Sequence, residues 1–161
     1  MKLKMLSALC AATLLLACRP QAISYTYQPI DCQQWQRTDT LRFDLPCLPD
    51  TQECLVSLGV RCTNQLAYQD LWVVVEQRTD TVARDTVHLL LTDLEGNWLT
   101  SGSILHEAEH PVRRLRIGMP NAQLLVYHAM QPFAVAGVAE VGIKIEPRSA
   151  LLPVAPRINA Q

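Results

Sequence analysis

The sequence lacks the short motifs that identify most enzyme families. It has no G-x-S-x-G nucleophile elbow, no phosphate-binding P-loop and no G-x-G-x-x-G dinucleotide fingerprint. It also lacks an excess of either charge, because 14 lysine and arginine residues stand against 15 aspartate and glutamate residues. Proteins that bind nucleic acid carry a basic surface, so the composition argues against a nucleic-acid partner.

A hydrophobic run long enough to cross a membrane is missing as well. The run from Met5 to Ala17 follows Lys2 and Lys4, and it is shorter than the roughly 20 residues of a spanning helix. Charged and then apolar residues are typical of a secretory signal peptide, which we assign to residues 1–17. The run ends in Leu-Leu-Ala-Cys, which resembles a lipobox and predicts acylation of Cys18. The alternative is an ordinary cleaved signal with Cys18 as a plain thiol.

A C-x-x-C pair, the spacing of zinc sites, is missing among the four cysteines that follow Cys18. The four cysteines are Cys32, Cys47, Cys54 and Cys62. In an exported domain, four cysteines indicate two disulfides with three alternative pairings. Cys47 and Cys54 stand at the two ends of a proline-containing loop between predicted strands, where a hairpin brings its ends close enough for a bridge. We therefore favour Cys47–Cys54, which leaves Cys32–Cys62.

A helical stripe of apolar residues is absent too, and period-two alternation takes its place. Leu41, Phe43 and Leu45, for example, share one face of a predicted strand. Turn signals separate such segments at intervals of roughly 8 to 12 residues, as in all-β domains. These patterns predict an antiparallel β-sandwich, jelly-roll or immunoglobulin-like, of about seven to nine strands.

The same patterns predict the organisation of the chain. Residues 18–24 form a short lipidated tether, and residues 25–146 form the sandwich. Residues 147–161 contain three prolines, which cannot donate a backbone hydrogen bond to a sheet. We expect this segment to be a flexible C-terminal extension.

One stretch imitates a catalytic metal site, since residues His106 to His110 spell H-E-x-x-H. On a helix this spacing places two imidazoles on one face to bind zinc, with the glutamate as general base. Pro111 follows directly and disfavours a helix through His110, and no third ligand stands at the expected spacing. We interpret the stretch as a polar loop with two exposed histidines between two strands. We predict no catalytic residue, no metal and no cofactor; a zinc hydrolase is the weaker alternative.

Aromatic residues make up 6% of the chain, which is modest for a protein that stacks sugars. Trp72 and Trp98 lie inside apolar stretches and are predicted to be core residues. Trp35 and Tyr68 lie in polar stretches and are predicted to be at the surface. A periplasmic module that binds glycan or peptidoglycan is therefore kept as an alternative function.

Four stretches resemble the gliding motility lipoproteins of the GldH family from the Bacteroidetes. The most specific are the turn D-x-x-G-x-W, from Asp93 to Trp98, and a glycine-containing pattern from Gly137 to Glu146. The four stretches are the lipobox LLAC, the segment SLGVRCTNQLAYQDLWVVV with Arg61, Asn64, Tyr68 and Leu71, the turn DTVHLLLTDLEGNWLTSG, and the ending AMQPFAVAGVAEVGIKIE.

The resemblance implies an outer-membrane lipoprotein on the periplasmic face, associated with gliding motility and the type IX secretion machinery, and without enzymatic activity. Its partners would be the outer membrane, through the N-terminal lipid, and other lipoproteins and envelope proteins of that machinery. Two loops are the predicted partner surface. The first contains Asn64 and Tyr68, and the second contains Glu95 and Asn97.

Overall fold

The computed structural model describes residues 22–79 and 82–148. These residues form antiparallel β-strands and no α-helix, which confirms the predicted all-β sandwich. No helix within the described ranges has the length and apolarity to cross a membrane. The predicted signal peptide, Cys18 and the extension beyond residue 148 lie outside the described residues. The strands are β1 (Ser24–Pro29), β2 (Gln34–Gln36), β3 (Leu41–Asp44), β4 (Gln52–Thr63), β5 (Asp70–Arg78), β6 (Val82–Leu90), β7 (Leu105–Ile117), β8 (Gln123–His128), β9 (Ala134–Ala136) and β10 (Val138–Pro147).

Two four-stranded sheets carry the fold. The first sheet has the order β1-β10-β4-β7, the second has the order β3-β8-β5-β6, and β2 and β9 pair as a separate ribbon. The pairs are nested along the chain, from β5 with β6 outward through β4–β7, β3–β8 and β2–β9 to β1–β10. One long antiparallel hairpin wrapped across two sheets in this way is the jelly-roll arrangement. The two short ribbon strands bring the number of strands within the described residues to ten, above the expected seven to nine.

The core lies between the two sheets and follows the alternation of side chains along each strand. In β4, the side chains of Cys54, Val56, Leu58, Val60 and Cys62 point inward and are fully buried. Burying one such aliphatic side chain contributes about 1.5–3 kcal/mol to the free energy of unfolding. The odd-numbered positions of β4 face outward and are therefore free to carry polar residues.

The strand register defines two ends of the sandwich. At one end, which we call the tether end, β1 begins at Ser24 and Gln52 pairs with Ile117. At the opposite end, which we call the distal end, Thr63 pairs with Leu105. The loops at the distal end include residues 64–69, 91–104 and 129–133, which we call the distal loops. The connections that follow β1 and β2 lie beside them, since Gly137 donates to Gln33 and Arg37 donates to Phe133 through their backbones.

Two predictions about tryptophan placement are wrong. Trp35, expected at the surface, is fully buried, because the β2–β9 ribbon holds its ring against His128 at a centroid distance of 5.4 Å. Trp72, expected in the core, is 41% exposed on β5, because its two neighbours in the strand take the inward positions. Trp98 is half-buried.

All four cysteines of the domain are free thiols in the structure. Cys54 and Cys62 are buried in β4, whereas Cys32 and Cys47 are exposed. Burial raises the pKa of the Cys54 thiol and raises the pKa of Cys62 to about 12, so neither buried thiol is a ready nucleophile. The structure does not contain the expected bridges Cys47–Cys54 and Cys32–Cys62, and this pairing stays a prediction.

Candidate functional site

The H-E-x-x-H stretch lies inside a strand, so its interpretation as a polar loop is wrong. Residues His106 to His110 belong to β7, an edge strand that pairs with β4. Because side chains alternate along a strand, His106 and Glu107 point to opposite faces of the sheet. His106 is buried at 5% exposure, and only His110 is exposed as expected. A zinc-binding helix brings the two histidines and the glutamate of this motif together at one metal ion, and an extended strand does not.

His106 instead packs inside the distal end of the sandwich, against Trp98 and Asn64. Its ring stacks on Trp98 with a centroid distance of 3.9 Å and an interplanar angle of 5°. Its Nε2 atom lies 2.9 Å from Oδ1 of Asn64, and the Asn64 amide donates a hydrogen bond to the backbone carbonyl of Ser103 at 3.3 Å. Asn64, which the sequence placed on the partner surface, thus ties two of the distal loops together.

Glu107 belongs to a polar network on the outer face of the first sheet. Its carboxylate accepts hydrogen bonds from the hydroxyls of Tyr25 at 2.7 Å and Tyr27 at 3.1 Å, and from Nε of Arg61 at 3.1 Å. Arg61 also donates to Glu140 at 2.7 Å, and its guanidinium lies 3.9 Å from the centre of the Tyr27 ring. The hydrogen bond from Tyr25, followed by that from Arg61, lowers the pKa of Glu107. A carboxylate stabilised in this way is a poor general base.

Asp93 holds the turn that carries Glu95 and Asn97. One Asp93 oxygen accepts the backbone N–H of Asn97 at 2.7 Å, and the other accepts the Asn97 side-chain amide at 2.9 Å. These hydrogen bonds lower the pKa of Asp93, so it stays ionised. Gly96 supplies the positive φ of 85° that the turn needs. Across residues 22–79 and 82–148, no group of three or more His, Cys, Asp or Glu side chains is arranged to hold a metal ion.

Two clefts open at the distal end, one on each side of Tyr68. The smaller cleft, of about 260 Å³, is lined by Asn64, Tyr68, Gly96 and Trp98 among others. The larger cleft, of about 690 Å³, lies between Tyr68, Trp72 and the loop that follows β8. Because Gly96 lines the smaller cleft, the two loops that the sequence singled out are neighbours in space.

The larger cleft has an exposed aromatic wall that the sequence analysis missed. The Trp72 ring stacks on His88 with a centroid distance of 4.2 Å and an interplanar angle of 14°. Nε2 of His88 lies 2.7 Å from Oδ2 of Asp70, which fixes the orientation of the pair. The apolar pattern of β5 concealed this site, because a tryptophan between aliphatic residues resembles a core residue.

Large apolar side chains are also exposed on the distal loop 91–104 and at the end of β6 that leads into it. Leu90, Leu94, Leu99 and Ile104 are each more than half exposed to solvent. Leu94 stands in the polar turn after Asp93, where no alternation can bury it. A leucine isolated in a polar turn is the signal in the sequence for this exposed position.

None of the distal loops contains a lysine or arginine, although the exposed Arg37 contacts the loop 129–133. Asp70, Asp93 and Glu95 lie on or beside them. The chain has no lysine or arginine in the segments 62–77, 85–112 and 117–143.

A comparison with protein-family models places this chain in a known family. The family model described as GldH lipoprotein matches residues 22–145, which include all ten strands up to the last two residues of β10. No curated protein matches the chain at a significant level.

Proposed function

The chain belongs to the GldH lipoprotein family, and from that membership we propose that it is a non-enzymatic component of the gliding motility and type IX secretion machinery. In this proposal, acylated Cys18 anchors the protein in the outer membrane, and the jelly roll lies on the periplasmic side. The domain acts by binding other lipoproteins and envelope proteins of the machinery.

The composition of the distal end is the observation that carries this proposal. Exposed aliphatic side chains beside two clefts are typical of a protein-interaction surface. The polar groups that would otherwise suggest catalysis, Glu107 and His106, are instead engaged in contacts that hold strands and loops together. A binding role would use the exposed aliphatic side chains. An enzymatic role would need Glu107 and His106, whose polar atoms already hold strands and loops together.

A lipid anchor supports such a role by raising the local concentration of the domain. A tethered domain meets membrane complexes at a much higher effective concentration than a free one. Modest contacts at the distal end are then enough for stable association.

Deletion of the gene tests the proposal directly. We expect type IX cargo to be lost from the cell surface in the deletion strain and restored by the wild-type gene. Normal cargo at the surface of the deletion strain would overturn the secretion role.

A pair of cysteine variants tests the anchor. Cys18→Ala is expected to release the protein from the membrane fraction and to lose complementation. Cys10→Ala lies in the same apolar run and is the matched control, so it should behave as wild type. Membrane retention of Cys18→Ala would show that another anchor is used, and wild-type protein outside the membrane fraction would show an ordinary cleaved signal.

A second candidate function, binding of glycan or peptidoglycan, is favoured by the exposed Trp72 ring in the larger cleft. Aromatic faces stack on the apolar faces of sugars, and Asp70 and Gln131 beside the ring could accept or donate hydrogen bonds. Titration with peptidoglycan fragments, monitored by tryptophan fluorescence, tests this candidate. Binding that Trp72→Ala abolishes would support it, and the absence of any response would exclude it.

A further inference from the structure

We propose that the distal loops bind a protein segment that presents lysine or arginine side chains together with apolar ones. This inference rests on the proposed function and deepens it, because it names the surface and the chemistry of the partner. Three independent features of the structure lead to it: the exposed apolar side chains, the distribution of charge and the position of the surface relative to the tether.

The exposed apolar side chains are concentrated in one part of the chain. Of the ten large hydrophobic residues exposed in the described structure, five fall within residues 90–105. They are Leu90, Leu94, Leu99, Ile104 and Leu105, with exposures from 39% to 89%. Isolated exposed leucines are ordinary, but such a concentration marks an interaction surface.

The charge around these side chains is negative and is not neutralised locally. Asp93 stays ionised within its turn, and Glu95 is exposed beside Leu94. Two arginines lie at the same end of the sandwich but outside residues 91–104. Only Arg61 is paired with carboxylates, those of Glu107 and Glu140. Arg37 donates to the backbone carbonyls of Met130 and Gln131 and keeps its positive charge beside residues 129–133.

The distribution of charge and of apolar side chains distinguishes a lipid surface from a protein segment as the partner. Residues 85–112 present apolar and acidic side chains and contain no lysine or arginine, so they attract a basic segment, since complementary charge steers association. Anionic lipid headgroups would be repelled. A protein segment with both basic and apolar side chains satisfies both features at once.

The position of the surface agrees with a protein partner. β1 begins at the tether end, so the distal loops lie at the far end of the sandwich from the predicted anchor. The 12-residue strand β4 alone spans about 40 Å between the two ends. The loops therefore face away from the membrane that holds the lipid and toward other envelope components.

Complementation of the deletion strain separates this surface from the rest of the molecule. The distal variant carries Leu94→Ser, Ile104→Ser and Glu95→Lys, all at exposed positions. The matched control carries Val82→Ser, Met119→Ser and Asp50→Lys, which are exposed at the tether end. We expect the distal variant to restore less than about a tenth of the surface cargo that wild type restores and the control to restore it fully, in line with the loss of a binding surface's central residues.

The outcomes distinguish this inference from the proposed function. If the deletion strain has a defect and the distal variant repairs it fully, the docking surface is wrong and the proposed function stands. If the control fails as badly as the distal variant, the docking surface is also wrong. If the deletion strain has no defect, the proposed function fails, and the peptide experiment below decides on the surface alone.

Binding in solution uses defined probes: an amphipathic peptide of leucine and lysine, and its counterpart of leucine and glutamate. We expect only the lysine peptide to shift amide NMR signals of residues 91–104, and Glu95→Lys to weaken its binding at least three-fold, whereas Asp50→Lys does not. Equal binding of both peptides, or shifts confined to the tether end, would overturn the proposal. So would a response of these loops to peptidoglycan fragments without any response to the lysine peptide.

Discussion

Tyr27 lies flat across the outer face of the first sheet, over two strands that carry glycine where the ring crosses them. A Cβ atom at Gly142 would stand 2.6 Å from Cδ1 of the ring, and one at Gly59 would stand 2.9 Å from Cζ. Both distances are shorter than van der Waals contact allows. The two glycines therefore make room for Tyr27 to reach Glu107 and to lie beneath the Arg61 guanidinium.

Gly59→Ala should lower the free energy of unfolding by about 1–3 kcal/mol, because the added methyl group overpacks the Tyr27 ring. Urea unfolding measures the change. In the double variant with Tyr27→Ala the obstruction is gone, so the alanine at position 59 should cost much less. Additive losses in this double-mutant cycle would show that the glycine is needed for another reason.

His128 is a second residue whose environment has a measurable consequence. It is 2% exposed, and its ring edge packs against Trp35. Burial, followed by the nearby positive charge of Arg37, lowers the pKa of His128. The folded protein therefore takes up this proton less readily than the unfolded chain does.

The stability of the protein should fall as the pH drops below about 6.5, the pKa of histidine in an unfolded chain. Above that pH His128 is neutral in both states; below it the unfolded state binds the proton first, until the lowered pKa of the folded state is reached. His128→Leu should remove this part of the pH dependence, whatever its effect at pH 7. Urea unfolding between pH 7.5 and pH 5 provides the slopes, with His110→Gln as the exposed control. Equal slopes for wild type and His128→Leu would contradict the assignment.

At the scale of elements, β7 shows how an edge strand can be mistaken for a loop. Its outward positions carry Glu107 and Glu109, and its inward positions near the distal end are a histidine and an alanine. The alternation of apolar and polar residues in the sequence is therefore weak here, although β7 pairs with β4 along its whole length. The contacts that specify the strand, from Tyr25 and Arg61 to Glu107, come from distant parts of the chain and cannot be read from the local pattern.

Glu107→Gln tests whether this glutamate stabilises a sheet or acts as a catalytic base. We expect a loss of about 1 kcal/mol at pH 7, limited by the partial exposure of the ion pair. Because the pKa of Glu107 is lowered in the folded state, its contribution is present above about pH 4.3 and disappears as the pH falls through the lowered value. Wild type and variant should therefore converge in acid.

Zinc analysis of the same two proteins completes this test. Both should bind less than about 0.1 equivalent of zinc, since the strand does not converge the two histidines. Glu109→Gln, which removes a pair with Lys144 alone, is the control and should cost less, because Glu107 accepts hydrogen bonds from three side chains. Stoichiometric zinc in wild type would restore the hydrolase alternative.

The strands with clear alternation were predictable, and the short ones were not. β4 and β10 were identified from their inward valines, leucines and isoleucines, because these strands lie in the middle of the first sheet. β2 and β9 have only three residues each, too few for a pattern, and Trp35 was misplaced as a result. The same limit applies to Trp72, because periodicity shows that a segment alternates but does not show which neighbour packs on each face.

At the scale of the whole molecule, the nested pairing explains why the candidate site has the form it does. Jelly-roll wrapping brings together at one end the loops that follow β4, β6 and β8, which are far apart in sequence. The sequence indicated two of these loops separately, and pairing of the strands makes them neighbours. The exposed Leu94 and Leu99 belong to no strand, so the alternation along a strand does not determine their placement.

The same wrapping, together with the proposed lipid on Cys18, predicts an orientation on the membrane. Six positions separate Cys18 from Ser24, which span at most about 20 Å when extended, so a lipid on Cys18 would hold the tether end near the lipid surface. A dye attached through a non-natural amino acid at position 119, in the tether-end loop, should transfer energy efficiently to acceptors in the headgroups of vesicles that hold the acylated protein. The same dye at position 95 should transfer much less, since about 40 Å of β-strand lies between the two ends. Equal transfer from both positions would mean that the sandwich lies on its side, and the distal loops would then be facing lipid instead of a protein partner.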